Sequence, residues 1–237
     1  MKNVTLVLSD GTKFHGKSFG YEHAVCGEVV FNTAMMGYPE SLTDPSYAGQ
    51  ILVFTYPLLG NYGVPPFTFE ANGLPTFMES NKIYVSAVVC SDYSEQYSHW
   101  NAVESLSEWL KREHVPGITG IDTRELTKVL REHGVMKGSI VFDDDPDEMP
   151  QADYEGVNFV AKVSCKEVIR YQEGAGKKVV LVDCGVKANI IRCLINRGVE
   201  VIRVPWNYDY TDMDFDGLFL ANGPGDPDTC QEAVDVI

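Results

Sequence analysis

The turn Asn222-Gly223-Pro224-Gly225-Asp226-Pro227 follows the apolar run Leu218 to Ala221, as a buried strand empties into a loop. Such a loop can aim backbone N–H groups at an anion. Proline has no N–H, so within Gly-Pro-Gly only Gly223 and Gly225 can donate. A phosphate, an oxyanion, and a turn chosen for shape alone are the three readings. A dinucleotide loop is a poor fit, because G-x-G-x-x-G requires a glycine where Asp228 stands.

Other chemistry-bearing residues fall short of a site. Gly174-Ala175-Gly176-Lys177-Lys178 has phosphate-loop residue types, but it precedes the strand-like VVLVD and has Lys178 where a hydroxyl is needed, so it reads as a flexible linker. Asp143 and Asp145 alternate as in a calcium loop, yet Glu148 replaces the required glycine and Tyr154 the bidentate glutamate, which leaves a solvated acidic turn. Cys26, Cys90, Cys165, Cys184, Cys193 and Cys230 form no C-x-x-C pair and have no histidine at ligand spacing, so they read as reduced thiols. Cys184 ends the strand VVLVD, but the last histidine is His133, and residues 134–237 supply no imidazole base for it. Packing is the expected role of Cys184 and Cys230.

The elements that must hold the loop show in the periodicity. VTLVL and KFHGKSF flank an Asp10-Gly11 turn, a hairpin signal, and GEVVFNTAM, QILVFTY, KIYVSAVVC and GVMKGSIVF read as further strands. AVESLSEWLKREH has helical spacing at Val103, Leu106, Trp109 and Leu110. A second helix runs from a capping-box pattern at Asp122 to Gly134. Residues 1–142 therefore form an α+β domain, 143–176 a linker, and 177–237 a different pattern. There KVVLVD, VEVIRVP and DGLFLA are continuous apolar strands separated by the helix ANIIRCLINRG, the signature of a parallel sheet covered on both faces. In such sheets ligands sit at the strands' carboxyl ends, where the glycine turn lies.

Composition narrows the function. With 34 acidic against 19 basic residues the net charge is −15, which repels polyanions and argues against nucleic acid. No apolar run reaches membrane-span length, and the amino-terminal segment meets its Asp-Gly turn too early for a signal-peptide core. A cytoplasmic protein is expected.

Two stretches carry a resemblance. VVLVDCGVKANIIRCLINRGVEVIRVP with GLFLANGPGDP resembles the opening of a class I glutamine amidotransferase domain. GEVVFNTAMMGYPESLTDPSYAGQILVFTYPLLGNYGV and GITGIDTRELTKVLREHG resemble the amino-terminal domain of the small subunits of glutamine-hydrolysing carbamoyl-phosphate synthetases. The resemblance covers nearly the whole chain, in order. It implies a swivelling β/β/α type of first domain, followed by the first part of an α/β amidotransferase domain with a parallel sheet.

It also implies chemistry. In that family a cysteine thiolate attacks the side-chain amide of glutamine, and backbone N–H groups hold the oxyanion. Gly223 matches the oxyanion donor, Gly225 a backbone contact to bound L-glutamine, and Ser46, in Asp44-Pro45-Ser46-Tyr47, a serine that closes over it. A Ser46 hydroxyl serving only a local turn is the plainer alternative. The position of Cys184 lies away from the thiol chemistry. The family's nucleophile stands in G-x-C-x-G, followed by a His and a Glu, and none of these is present in residues 1–237. The expectation is a small subunit whose catalytic residues lie beyond Ile237, so that this chain alone is inactive. The ammonia would go to a large subunit, which makes carbamoyl phosphate from bicarbonate and ATP for arginine and pyrimidine synthesis, with ATP and magnesium bound there and no cofactor in this chain. A noncatalytic docking module for the large subunit is the alternative. A phosphate-binding α/β protein, testable by nucleotide calorimetry, is a third reading.

Overall fold

Strict alternation in β1 (Asn3–Leu8) buries Val4, Leu6 and Leu8 and leaves the residues between them more open. The chain reverses at Asp10, whose carboxylate accepts the Thr12 N–H at 2.9 Å, into β2 (Lys13–Ser18). The computed structural model describes residues 1–143, 154 and 156–237. They fall into two compact units, each assembled from separate stretches of chain.

The first unit comprises Met1–Leu42, Gly49–Pro66 and the described part of Lys82–Asp153. After the hairpin come β3 (Val25–Asn32), the short α1 (Tyr38–Leu42), β4 (Gln50–Phe54), β5 (Leu58–Leu59), β6 (Ala87–Val89) and β7 (Asp92–Tyr93). They are followed by α2 (Leu106–Arg112), β8 (Gly117–Thr119), α3 (Thr123–His133) and β9 (Met136–Phe142). Seven strands close into a barrel in the order β1-β2-β8-β6-β4-β3-β9, while β5 and β7 pair separately. The barrel is mixed: β3, β4, β6 and β8 run parallel in succession, and β1, β2 and β9 close it with antiparallel pairs. Its core is apolar, with Leu6, Ile51, Val53, Val89, Ile118 and Ile140 packed together and Leu126 and Leu130 of α3 joining them. A closed barrel corrects the swivelling β/β/α expectation. Closure satisfies the edge hydrogen bonds that an open sheet of these short strands would leave bare.

The helix starts are set by caps. Ser105 and Glu108 form a reciprocal capping box, so α2 begins at Leu106, later than the apolar spacing from Val103 suggests. Asp122 caps α3 by accepting the Glu125 N–H at 2.9 Å, but the Glu125 carboxylate turns to Lys128 at 3.0 Å and leaves half a box. Gly134 closes α3 as anticipated.

The second unit gathers Thr43–Ala48, Phe67–Asn81 and Tyr154–Ile237. It holds α4 (Phe159–Val163), β10 (Ile169–Tyr171), β11 (Lys177–Asp183), α5 (Ala188–Ile195), β12 (Val199–Pro205), β13 (Gly217–Leu220) and α6 (Gln231–Val234). β12, β11 and β13 are parallel, as expected, but β10 adds an antiparallel edge against β12, so the four-stranded sheet is mixed. One face of β11 packs Leu181 with Val201 and Ile191 of α5, and the other packs Val180 and Val182 with Ile202, Val204 and Tyr210. Burial on both faces explains the unbroken apolar run.

Within residues 143–176, α4 and β10 are thus built structure. Gly174-Ala175-Gly176 is a turn tied down by the Gly174 N–H on Glu200 at 3.0 Å, and Lys177 bonds Asp216 at 2.6 Å. The solvated acidic turn inferred around Asp145 and Glu148 lies outside the described residues. Two stretches read as part of the first domain belong to the second unit. Phe67–Asn81 is held by Glu79, which accepts the Asn189 N–H at 2.9 Å, and by Glu70 and the Pro75 carbonyl, which receive Arg192 at 2.8 and 2.7 Å. Among the described residues no helix is long and apolar enough to cross a membrane.

Candidate functional site at the carboxyl ends of β11 and β13

Asp183 ends β11 fully buried and organises the turn after it. Its Oδ1 accepts the N–H groups of Gly185 at 3.0 Å and Val186 at 2.9 Å. Its Oδ2 accepts the Cys165 N–H at 2.7 Å and two Arg203 donors at 2.9 and 2.6 Å. Every lone-pair direction is used, as a buried carboxylate requires. Burial works against the charge on Arg203, but the adjacent Asp183 outweighs it and raises that pKa.

The turn so fixed is the surface on which the glycine loop rests. A Cβ on Gly223 would overlap the Cys184 carbonyl oxygen and stand 2.8 Å from its carbon, so only glycine allows this approach. Gly225 has φ of +81°, a left-handed conformation that glycine adopts without strain. Pro224 between them is buried, and both glycines are exposed. Among the described residues neither glycine N–H has a hydrogen-bond partner. Asp226 then accepts the Asp228 N–H at 3.0 Å and starts the 3₁₀ turn Pro227–Cys230.

Ser46 belongs to the same unit. Asn222 Nδ2 donates to Ser46 Oγ at 2.9 Å, across 176 residues of sequence. The Ser46 N–H in turn donates to Asp44 Oδ1 at 2.9 Å, and Asp44 Oδ2 lies 3.4 Å from Lys187 Nζ, beside the start of α5. The three residues singled out in the sequence, Ser46, Gly223 and Gly225, therefore share one unit, with Ser46 tied to the residue preceding Gly223. Asn222, Asp183, Arg203 and the Asp44–Lys187 pair were not anticipated. Only the position of Asp183 at a strand's carboxyl end could have suggested it.

Neither Cys184 nor Cys165 is primed to attack. Burial, then the neighbouring Cys230, pushes Cys184 up to about 11, and burial, then Asp183, pushes Cys165 up to about 12. Cys184 and Cys230 pack with Val160, Ala233 and Trp206. The arrangement offers two backbone donors and a serine hydroxyl to a polar or anionic group, and the neighbouring Cys184 and Cys165 are not activated as nucleophiles.

The second unit is an α/β fold whose glycine turn, its N–H groups unpaired among the described residues, lies at the carboxyl end of a parallel strand, where sheets of this kind bind ligands. The chain matches the family model for the carbamoyl-phosphate synthase small chain, CPSase domain, over residues 6–140, and that for class I glutamine amidotransferases over 180–237. It belongs to the carbamoyl-phosphate synthase small-chain family. It is 49 % identical over 239 residues to the carbamoyl phosphate synthase arginine-specific small chain of Saccharomyces cerevisiae, covering 98 % of this chain and 57 % of that one. It is 49 % identical over 253 residues to the multifunctional protein pyr1-3 of Dictyostelium discoideum, covering 100 % of this chain and 11 % of the relative. With the human mitochondrial carbamoyl-phosphate synthase [ammonia] it shares 50 % identity over 223 residues, 94 % of this chain and 15 % of that protein. The chain thus spans only part of the length of each of these relatives.

Proposed function

We propose that this chain is part of the glutamine-hydrolysing small subunit of a carbamoyl-phosphate synthetase. In this reading the second unit is the first part of a class I amidotransferase domain, and ammonia released there passes to a large subunit that makes carbamoyl phosphate from bicarbonate and ATP. The observation that carries it is the family match over 6–140 and 180–237, in order, with the Gly223–Gly225 turn inside the second match. Gly223 donates its N–H to the oxyanion formed when a thiolate adds to the glutamine amide, Gly225 contacts the bound glutamine, and Ser46 closes over it. The thiolate is supplied by a cysteine in a G-x-C-x-G setting, which residues 1–237 do not contain. A reducing compartment, the cytoplasm, suits six free cysteines.

A second reading, a noncatalytic module that docks the large subunit, is favoured by that same lack of a G-x-C-x-G cysteine in residues 1–237. Two measurements separate the readings. The purified 237-residue chain should release no ammonia from glutamine above a blank, and should co-purify with a large subunit. Fusing on the further segment of the yeast small chain should then create glutaminase activity that Gly223→Ala abolishes. Activity in the unfused chain overturns the first reading, and an inactive fusion that still docks favours the module.

A further inference from the structure

Arg124, Lys128 and Arg131 stand at i, i+4 and i+7 on α3, so they share one side of the helix, with about 10 Å of its axis between the first and the last. With Thr127 and with Thr55, just past β4, they line a cavity of about 380 Å³. No carboxylate is among its lining residues. That departs from the composition of the chain, in which 34 acidic residues outnumber 19 basic ones.

The cations have little to hold them. Lys128 meets Glu125 at 3.0 Å, an exposed pair that contributes little and parts easily. Among the described residues, Arg124 and Arg131 have no hydrogen bond or ion pair. Glu132 follows Arg131 directly, and successive residues of a helix do not face each other. Like charges four residues apart, as in Arg124 and Lys128, work against the helix. Both threonine hydroxyls already donate to backbone carbonyls, Thr127 to Thr123 at 2.6 Å and Thr55 to Asn32 at 3.2 Å. The side-chain donors left to a ligand are those of the three cations. A cationic ligand would be repelled, a neutral one would leave the charges unmet, and a single carboxylate would answer one of three.

We propose that this cavity binds a short phosphate chain, a di- or triphosphate group. Arg124 and Arg131 grip its ends through their guanidinium forks, and Lys128 leaves Glu125 to meet its middle as a point charge. A multivalent anion with oxygens along its length matches donors spaced along the helix, which a single carboxylate does not. The volume is within the range of small-molecule sites. The net charge of −15 repels anions from the molecule as a whole, so the attraction has to come from this local cluster. Every residue in the cavity belongs to the first unit, so the proposal is independent of the glycine turn.

The test is titration of the 237-residue chain with sodium tripolyphosphate and with sodium orthophosphate at matched ionic strength, followed by backbone amide NMR. Saturable shifts should cluster at Thr55, Arg124, Thr127, Lys128 and Arg131, and tripolyphosphate should bind about tenfold or more tighter than orthophosphate. Arg124→Gln and Arg131→Gln should each weaken binding about tenfold with little change in melting temperature, because these exposed side chains have no bond to lose. Glu125→Gln should tighten it severalfold, since Lys128 then has no partner to give up. Magnesium-free ATP binding as tripolyphosphate does would support the proposal with a nucleotide as the source, and ATP failing where tripolyphosphate binds would support it with a free phosphate chain. Shifts that never saturate, equal affinity for the two phosphates, or unchanged affinity in both arginine variants would overturn it. So would shifts centred on Gly223 and Gly225, or a polyglutamate peptide binding the same residues much more tightly than tripolyphosphate, which would make the occupant an acidic protein.

Discussion

Asp183 joins five hydrogen bonds from Cys165, Gly185, Val186 and Arg203 at one buried point, and the turn it holds is the platform for Gly223. Asp183→Asn should therefore act on the loop without touching it. Asparagine cannot accept all those donors and leaves Arg203 without its counter-charge, a loss of about 3 kcal/mol, taken at the lower end because the Arg203 side chain is 21 % exposed. Urea denaturation should show the loss, and Asp183→Ala should cost at least as much. Equal stability of Asp183→Asn and the parent chain would mean that the pair does not hold the turn. At this scale the sequence was readable where chemistry is local: glycine and proline announce a turn from their own backbone limits. Asn222 to Ser46 and Asp183 to Arg203 join residues far apart in sequence, and no spacing rule marks such partners.

Elements were legible in proportion to their length and regularity. β1 and α3 carry clear periods and β11 an unbroken apolar run, and each stands near its anticipated place. β10 is three residues long and owes its existence to β12 beside it, so its stretch reads as linker in isolation. Phe67–Asn81 has no regular period, and its place in the second unit is decided by Glu70 and Glu79 meeting α5. The same scale exposes a weakness. Among the described residues β13 pairs with β11 on one side only, and its Leu218 and Leu220 are 38 % and 47 % exposed. An apolar strand with a bare edge templates pairing with another copy. The isolated 237-residue chain should self-associate as its concentration rises, and Leu220→Lys should reduce that association in sedimentation experiments with little change in melting temperature. Self-association unaffected by the lysine would place the contact elsewhere.

Across the whole molecule, the buried thiols point to one solvent condition. Cys90 in the first unit is pushed up to about 12 by burial, Cys165 and Cys184 in the second to about 12 and about 11, all from an ordinary 9.0. Burial, then the charge of Tyr62, raises Tyr38 as well. For each of these groups the folded state binds its proton more tightly than the unfolded chain does. Their contribution to stability is therefore complete below the ordinary thiol pKa, and it is lost as pH rises from there towards the folded values. Two units with separate cores both contain such thiols, so alkaline pH should weaken both. Denaturation midpoints measured from about pH 8 upward should fall once the ordinary thiol range is passed. In the same range a thiol reagent should modify exposed Cys193 quickly and Cys90 only as the barrel opens. Midpoints that stay flat to the folded thiol pKa values would show that these cysteines are not desolvated as their packing requires. Rapid modification of Cys90 at neutral pH would show the same.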